Sequence, residues 1–357
     1  MLERIIVKMT LPVLTRLKKY IIFSSVLIST HVYGAAINMA YVETNTSSMG
    51  GNLSVATAAD MAASKFNMFI LSFLNICSRK DISTNNCTVP SSTSDAILLW
   101  NNQPTDPDDQ SNPASAVQVS EIKAVIGILN AANKKVLFSV GGWINGGTWS
   151  YFQNDATNNI AKSLLGKFDS TYSPDGYDLD FENSPYTNGF IAAGHVIAGF
   201  TPAKTLTIAP VSGGITGSFS NQYCSLYSNK VTANYINIQF YAGGYISKTD
   251  DIIKSLRAGT KSIKNCDSNF TESKLLVGLG PNSPQLNANN NNLPNCDVSP
   301  SSSPYTSDIY SGCKSIATSV ASHISSIGGF YVWDYDILFQ PLTWASDMAS
   351  ALSSSSP

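Results

Sequence analysis

Short runs of β-branched, aromatic and aliphatic residues alternate with helix-period segments along most of this chain. Eight runs read as strands, over 37–44, 67–76, 135–140, 176–182, 205–209, 235–241, 275–279 and 329–334. Between them, Ile122, Val125, Ile126 and Leu129 fall on one helical face, with Ser120 as the expected N-cap. Ile160, Leu164, Leu165 and Phe168 repeat that spacing, as do Ile252, Ile253 and Leu256, and a last helix is expected over 343–352. Strands that alternate with helices predict a parallel sheet, and eight βα units predict an α/β fold closed as a (β/α)8 TIM barrel.

Two connections exceed ordinary turns: 77–119 after the second strand and 280–311 after the seventh, both rich in Ser, Asn, Pro and Asp. Both leave C-terminal strand ends, the face on which barrels build their sites. Connections of this length usually carry function or lack order, and the asparagine run at 287–292 favours disorder at that tip.

Composition narrows the function classes. Lys+Arg 22 against Asp+Glu 24 leaves a net charge of −2, with no basic run, so nucleic acid is not an expected partner. Charged residues are only 13%. The hydroxyl- and amide-rich polarity that replaces them suits neutral saccharides and exported proteins alike. Arg16, Lys18 and Lys19 precede an apolar run over 20–30, and Val32-Tyr33-Gly34 precedes Ala35, the pattern of a signal peptide cleaved near Gly34. An uncleaved anchor is the alternative, but the run is shorter than the about 20 residues a span needs. The expected organisation is therefore a signal peptide over 1–34, one domain over 35–352 and a serine-rich tail over 353–357. A secreted monomer without stable membrane association is expected. The six cysteines form no Cys-x-x-Cys pair and only three histidines occur, which leaves no zinc spacing. Cys77 with Cys87 and Cys296 with Cys313 are the favoured disulfides, free buried thiols being the alternative.

The chemistry lies in the fourth strand, Asp175-Gly176-Tyr177-Asp178-Leu179-Asp180-Phe181-Glu182. A strand's period of two puts Asp178, Asp180 and Glu182 on one face and Leu179 and Phe181 on the other. On an outer sheet this would be a solvated face. In a barrel strand covered by helices, the acids point inward, where burial and mutual repulsion raise at least one pKa, as a general acid requires. A calcium site is the other option, but no EF-hand spacing accompanies the acids. No Ser-His-Asp set and no glycine-rich phosphate loop presents itself: His31 lies in the leader, and His195 and His323 lie in expected helices.

The acid run resembles the D-G-x-D-x-D-x-E signature of family-18 glycoside hydrolases, the chitinase-like family. Ser139-Val140-Gly141-Gly142 on the third strand is similar to that family's S-x-G-G motif, Gln239-Phe240-Tyr241 on the sixth to its Q-x-Y, and Trp333 on the eighth to its site tryptophan. The resemblance implies a barrel hydrolase of β-1,4-linked N-acetylglucosamine polymers such as chitin, working without cofactor or metal. Glu182 would protonate the leaving oxygen and then activate water. The family is one of the exceptions to the two-carboxylate scheme, because the substrate's own 2-acetamido oxygen attacks the anomeric carbon. The resemblance makes Asp180 the partner of the acetamido N–H, Asp178 a group that shares a proton with Asp180, and Tyr241 a hydrogen-bond donor to the acetamido oxygen. Gln239 would line the pocket and Trp333 would form its floor. Ser139, Gly141, Gly142 and Asp175 are expected as structural support.

Tyr41 is a further candidate from the first strand and Trp143 one from the S-x-G-G turn; Trp149 and Trp344 are better read as packing. The chain departs from the family's pattern at Ala242, where many relatives carry Asn, and at Val211 after Ala209-Pro210, where acidic or amide residues are common. Both departures touch specificity before the acid itself. An endo-β-N-acetylglucosaminidase acting on N-glycans uses the same acids and stands as the second expectation. A non-catalytic glycan-binding lectin on the same barrel is the third.

Overall fold

The apolar runs pair side by side until the last meets the first. The computed structural model describes residues 36–43, 55–82, 84, 86–101, 103–106, 115–142, 146–154, 160–182, 185–241, 248–280, 311–333, 335 and 341–353. In chain order these form β1 (Ile37–Glu43), α1 (Val55–Ala63), β2 (Met68–Ser78), β3 (Ala96–Trp100), β4 (Gln103–Pro104), α2 (Ser115–Ala131), β5 (Lys135–Gly141), α3 (Gly146–Asn154), α4 (Ile160–Tyr172), β6 (Gly176–Asp180) and α5 (Thr187–Ala198). There follow β7 (Thr205–Ile208), α6 (Ser220–Ser228), β8 (Tyr235–Gln239), α7 (Thr249–Cys266), β9 (Leu275–Gly278), α8 (Ser311–His323), β10 (Gly329–Val332) and α9 (Pro341–Ser353). Strands β1, β2, β5, β6, β7, β8, β9 and β10 pair in parallel in that circular order, and the β1–β2 and β1–β10 ladders close the barrel. All eight strands expected from the sequence are barrel strands, and the fold is the expected TIM barrel.

The period of two in the strands sorts side chains into two cores. Outward-facing Phe69, Phe138, Leu179 and Ile238 join the helices in the large core, with Ile122, Val125, Ile126 and Leu129 from α2. Inward-facing Met39, Tyr41, Met68, Ile70, Leu137, Leu276 and Tyr331 fill the barrel itself. The interior is therefore apolar toward the base and becomes phenolic and then carboxylic toward the mouth.

Two expectations need correction, and the packing role expected for Trp149 and Trp344 holds. Ser120 is not an N-cap: α2 begins at Ser115 and carries Ser120 in its interior. The apolar face continues upstream to Val119, which is why the helix does not stop at the serine. The connection after the second strand is not a plain loop, because β3 pairs antiparallel with the extended end of β2 and with β4. Its signal was the run Ala96–Trp100, every residue of which is buried. Trp149 and Trp344 are fully buried packing residues, Trp344 stacking on Phe66 at 5.5 Å. The expected leader, the serine-rich tail beyond Ser353, the tip at 287–292 and Trp143 lie outside the described residues. Among the described residues, no helix is long and apolar enough to cross a membrane.

Cys77 pairs with Cys87 as expected, and Cys224 pairs with Cys266, a bond the sequence had not suggested. The second ties α6 to the end of α7. Cys313 is also disulfide-bonded, whereas its expected partner Cys296 lies outside the described residues. Cross-links remove entropy from the unfolded chain in proportion to the logarithm of the loop they close. The Cys224–Cys266 link spans 42 residues and the Cys77–Cys87 link 10. Replacing the Cys224–Cys266 pair by serines should therefore cost about 4 kcal/mol, and replacing the Cys77–Cys87 pair about 3 kcal/mol. Urea denaturation of the two double variants checks both the losses and their order.

Candidate active site

Strand β6 carries its acids in the direction its parity dictates. Tyr177, Leu179 and Phe181 face the helices, and Asp178 and Asp180 face the barrel interior, both buried. Glu182 lies two residues beyond Asp180, just past the strand end, and is half-buried at the C-terminal mouth. The Asp175-Gly176 pair sets this strand in place rather than taking part in chemistry. The Asp175 carboxylate accepts the Val136 N–H at 2.8 Å, and a Cβ on Gly176 would sit 2.1 Å from the Thr205 carbonyl oxygen.

Register brings polar partners to Asp178. Ser139 on β5 and Thr207 on β7 are its direct neighbours in the two flanking ladders. Their hydroxyls donate to its two oxygens at 2.8 Å and 2.5 Å. Tyr41 on β1 donates from across the barrel at 3.0 Å, and the Asn237 amide on β8 donates at 3.1 Å. Burial pushes the Asp178 carboxyl above its ordinary value, and these four donors offset part of that rise.

Asp180 is shifted the same way with far less to offset it. Burial drives it well above the ordinary carboxylate range, and the charges of Glu182 and Asp178 push it further. It is hydrogen-bonded to Glu182, and it accepts the Gln239 amide at 3.1 Å. The same Gln239 nitrogen reaches Glu182 at 3.1 Å and the Ala209 carbonyl at 2.9 Å, so the glutamine straddles both acids. Burial also raises Glu182, against the hydrogen bonds from Gln239 and Asp180 that lower it. Two carboxyls joined by a hydrogen bond hold a proton between them to higher pH than free carboxyls do, which is the condition for one of them to act as an acid.

The S-x-G-G turn explains itself at this point. Gly141 and Gly142 have φ of +109° and +95°, a region that disfavours any side chain. A Cβ on Gly141 would stand 2.4 Å from the Trp149 ring and 2.5 Å from the Asp180 carbonyl. Gly142 donates its N–H to that same carbonyl at 3.0 Å and lies against the Phe73 ring. The two glycines thus let the chain pass directly under Asp180, while Ser139 holds Asp178.

Aromatic residues close the mouth. Half-buried Trp333 stacks on Phe73 at 5.5 Å and 25°, and meets Tyr41 at 5.4 Å. Tyr241 is buried with its ring 5.9 Å from Tyr331 and its hydroxyl hydrogen-bonded to that residue. Gly278 makes room for both rings, since a Cβ there would meet Tyr331 at 2.4 Å. The structure therefore gathers Asp178, Asp180, Glu182, Gln239, Tyr241, Tyr41, Trp333, Ser139, Gly141 and Gly142 at one end of the barrel. Phe73, Thr207, Asn237 and Tyr331 join them and had no motif to announce them. Parity was their available signal: Asn237 alternates with Gln239 and Tyr241, and Tyr331 with Trp333. No group of acids, histidines and cysteines suited to a metal ion occurs among the described residues.

A buried acid with a raised pKa costs stability once it would ionise. The unfolded carboxyl ionises near pH 4, so stability falls as pH rises from there to the higher folded value. Asp180→Asn should therefore stabilise the protein at about pH 7 and lose that advantage below about pH 4. Urea midpoints of the two proteins across this range check the sign.

No protein-family model matches the sequence, and neither does any curated protein sequence. Solved structures do match. A GH18 chitinase from Pseudoalteromonas aurantia shares 16% identity at a TM-score of 0.57, over 89% of this chain and 100% of that one. The catalytic domain of a hyperthermophilic chitinase from Pyrococcus furiosus shares 12% identity at a TM-score of 0.60, over 90% and 97%. A chitinase-like agglutinin from Robinia pseudoacacia shares 14% identity at a TM-score of 0.53, over 88% and 99%. Across nearly its full length, this chain has the barrel fold of the family-18 chitinase catalytic domains, a fold that a chitinase-like agglutinin shares.

Proposed function

We propose that this protein is a secreted glycoside hydrolase that cleaves β-1,4-linked N-acetylglucosamine chains, of which chitin is the simplest. The observation that carries the reading is the hydrogen-bonded Asp180–Glu182 pair, bridged by Gln239 at the open end of the barrel. The family-18 fold and the four motifs on β5, β6, β8 and β10 support it. So does the chito-oligosaccharide complex known for a Pyrococcus furiosus chitinase of the same fold.

Each group has a physical task in this reaction. Glu182, half-buried and holding a share of the pair's proton, donates to the glycosidic oxygen as the bond breaks. Among the described residues no second carboxylate of the acid strand stands free to attack the anomeric carbon: Asp180 is tied to Glu182, and Asp178 is caged below it. The acetamido oxygen of the sugar itself supplies the nucleophile and forms an oxazolinium ring, which water then opens from the face the leaving oxygen vacated, with Glu182 as base. Asp180 receives the acetamido N–H and balances the developing positive charge, which a buried carboxyl does more strongly than an exposed one. Tyr241 orients the acetamido oxygen, and Trp333 with Phe73 presents an apolar wall to the ring. Two tasks need no metal here, because charge is stabilised by Asp180 and the nucleophile belongs to the substrate.

An agglutinin on this fold keeps a binding reading open as a competing outcome. Hydrolysis of a fluorogenic chitobioside should be measurable with the native chain, and Glu182→Gln should reduce kcat by about 10²–10⁴-fold with little change in folding. Equal rates for the two proteins would remove Glu182 from the reaction. Binding of chito-oligosaccharides without turnover by either would identify a lectin, and release of glycan from a high-mannose glycoprotein in preference to chitin would redirect the substrate to N-glycans.

A further inference from the structure

Asp178 and Asp180 sit on one strand at the same parity, both buried, yet their surroundings differ in kind. A carboxylate offers about four lone-pair directions. At Asp178 four donors fill them: Tyr41 and Ser139 on one oxygen, Thr207 and Asn237 on the other. Asp180 instead accepts from Gln239 and is hydrogen-bonded to Glu182.

Asn237 is the hub of this arrangement. It is fully buried, and its amide nitrogen lies 3.1 Å from Asp178, 3.0 Å from the Tyr41 oxygen and 3.2 Å from the Thr207 hydroxyl. Its amide oxygen has no hydrogen-bond partner among the described residues. Turning the amide over would set that oxygen against the Asp178 carboxylate, so the nitrogen faces inward at the expense of an unsatisfied carbonyl. Its backbone is held as well, because the Tyr331 hydroxyl donates to the Asn237 carbonyl at 3.0 Å. Among Asp178's four donors, the amide differs in kind. The three hydroxyls can rotate and accept a proton's hydrogen bond, whereas an amide N–H can only donate. A protonated Asp178 oxygen facing Asn237 and Thr207 could not donate to the amide, so Thr207 would have to turn its hydroxyl round to accept the proton.

We propose that Asn237 is a positioning residue that holds Asp178 as a fixed anion, with Thr207 beside it, and so confines the mobile proton to Asp180 and Glu182. This deepens the hydrolase reading and rests on it for its catalytic meaning. It also alters the role first expected for Asp178, which was to share a proton with Asp180. In this chain Asp178 acts as a buried negative charge that keeps the proton on its neighbour. The titratable groups that face Asp178 are Tyr41 from β1, Tyr331 from β10, and Asp180 on its own strand with Glu182 beyond it. β5, β7 and β8 contribute the non-titrating Ser139, Thr207 and Asn237. Both tyrosines are pushed well above their ordinary value by burial, so the acids are the groups that exchange protons near neutral pH.

Carbon-13 NMR titration of the side-chain carboxyls in the free protein tests this without reference to turnover. In the native chain, Asp178 should titrate at lower pH than the Asp180–Glu182 pair. Asn237→Leu, close in shape and without donors, should raise the Asp178 midpoint by about one unit, equivalent to a tenfold change in its proton affinity. Thr207→Val, which removes a single hydroxyl at nearly constant volume, should move it in the same direction by less, and it decides the matter alone if Asn237→Leu does not fold. In chitobioside hydrolysis the acid limb of kcat/KM should shift to higher pH in both variants. A native Asp178 that titrates above Asp180, or an Asp178 midpoint unmoved in the folded variants, overturns the proposal. A native chain that shows the expected titration order and no hydrolysis would overturn the hydrolase reading and leave the assignment of Asn237 standing.

Discussion

The organising constraint of this molecule is the placement of two carboxylates inside a closed barrel. Ionised carboxyls away from water are costly unless they are paired or hydrogen-bonded. Asp178 and Asp180 are both buried, and the surrounding architecture answers that cost in two different ways. Around Asp178, donors arrive from four other strands, β1, β5, β7 and β8. Around Asp180, the solution is a shared proton with Glu182 and one bridging amide from Gln239. A closed sheet suits this task, since every strand points a side chain at the same axis and several can converge on one oxygen.

The same constraint accounts for features that look unrelated in the primary structure. Two positive-φ glycines bring the β5 turn against the Asp180 backbone, where a side chain on Gly141 would strike Trp149 and one on Gly142 would crowd Phe73. Gly278 is bare so that Tyr331 and Tyr241 fit beneath the mouth. Asp175 clamps the base of β6 to β5, which sets the register that places Ser139 beside Asp178. The apolar layers of Met39, Met68, Ile70 and Leu137 below the acids exclude water from the base of the barrel and concentrate the electrostatic interactions at its mouth. Stability is given up there in exchange for acids held above the ordinary carboxylate range, as perturbed groups at functional sites are.

Identity to the matching chitinase structures is only 12–16%, although the alignments span about nine-tenths of this chain. A barrel tolerates that divergence because its core asks for volume and parity rather than for particular residues. The acids, the glycine turn, Gln239 and Trp333 are positions where atoms rather than volumes matter. That difference explains how short motifs could point to a fold that neither a family model nor a curated sequence matched.

By itself, the sequence determined the eight barrel strands, their parallel order and the inward face of the acid strand. Each of these follows from local periodicity, which needs no knowledge of distant neighbours. It also pointed to Gln239, Tyr241 and Trp333 through their resemblance to family-18 motifs, and to Cys77 with Cys87 through proximity along the chain. Tertiary structure alone decided what converges across the barrel. Thr207, Asn237 and Tyr331 are ordinary strand residues until the fold brings Thr207 and Asn237 to Asp178, over separations of 29 and 59 residues, and the Tyr331 hydroxyl to the Asn237 carbonyl over 94. The antiparallel β3–β4 extension, the start of α2 before Ser120 and the Cys224–Cys266 bond were settled in the same way, by packing against segments far away in the chain. Local pattern names the element and its buried face; only closure selects the partners and thereby distinguishes the caged Asp178 from the proton-sharing Asp180.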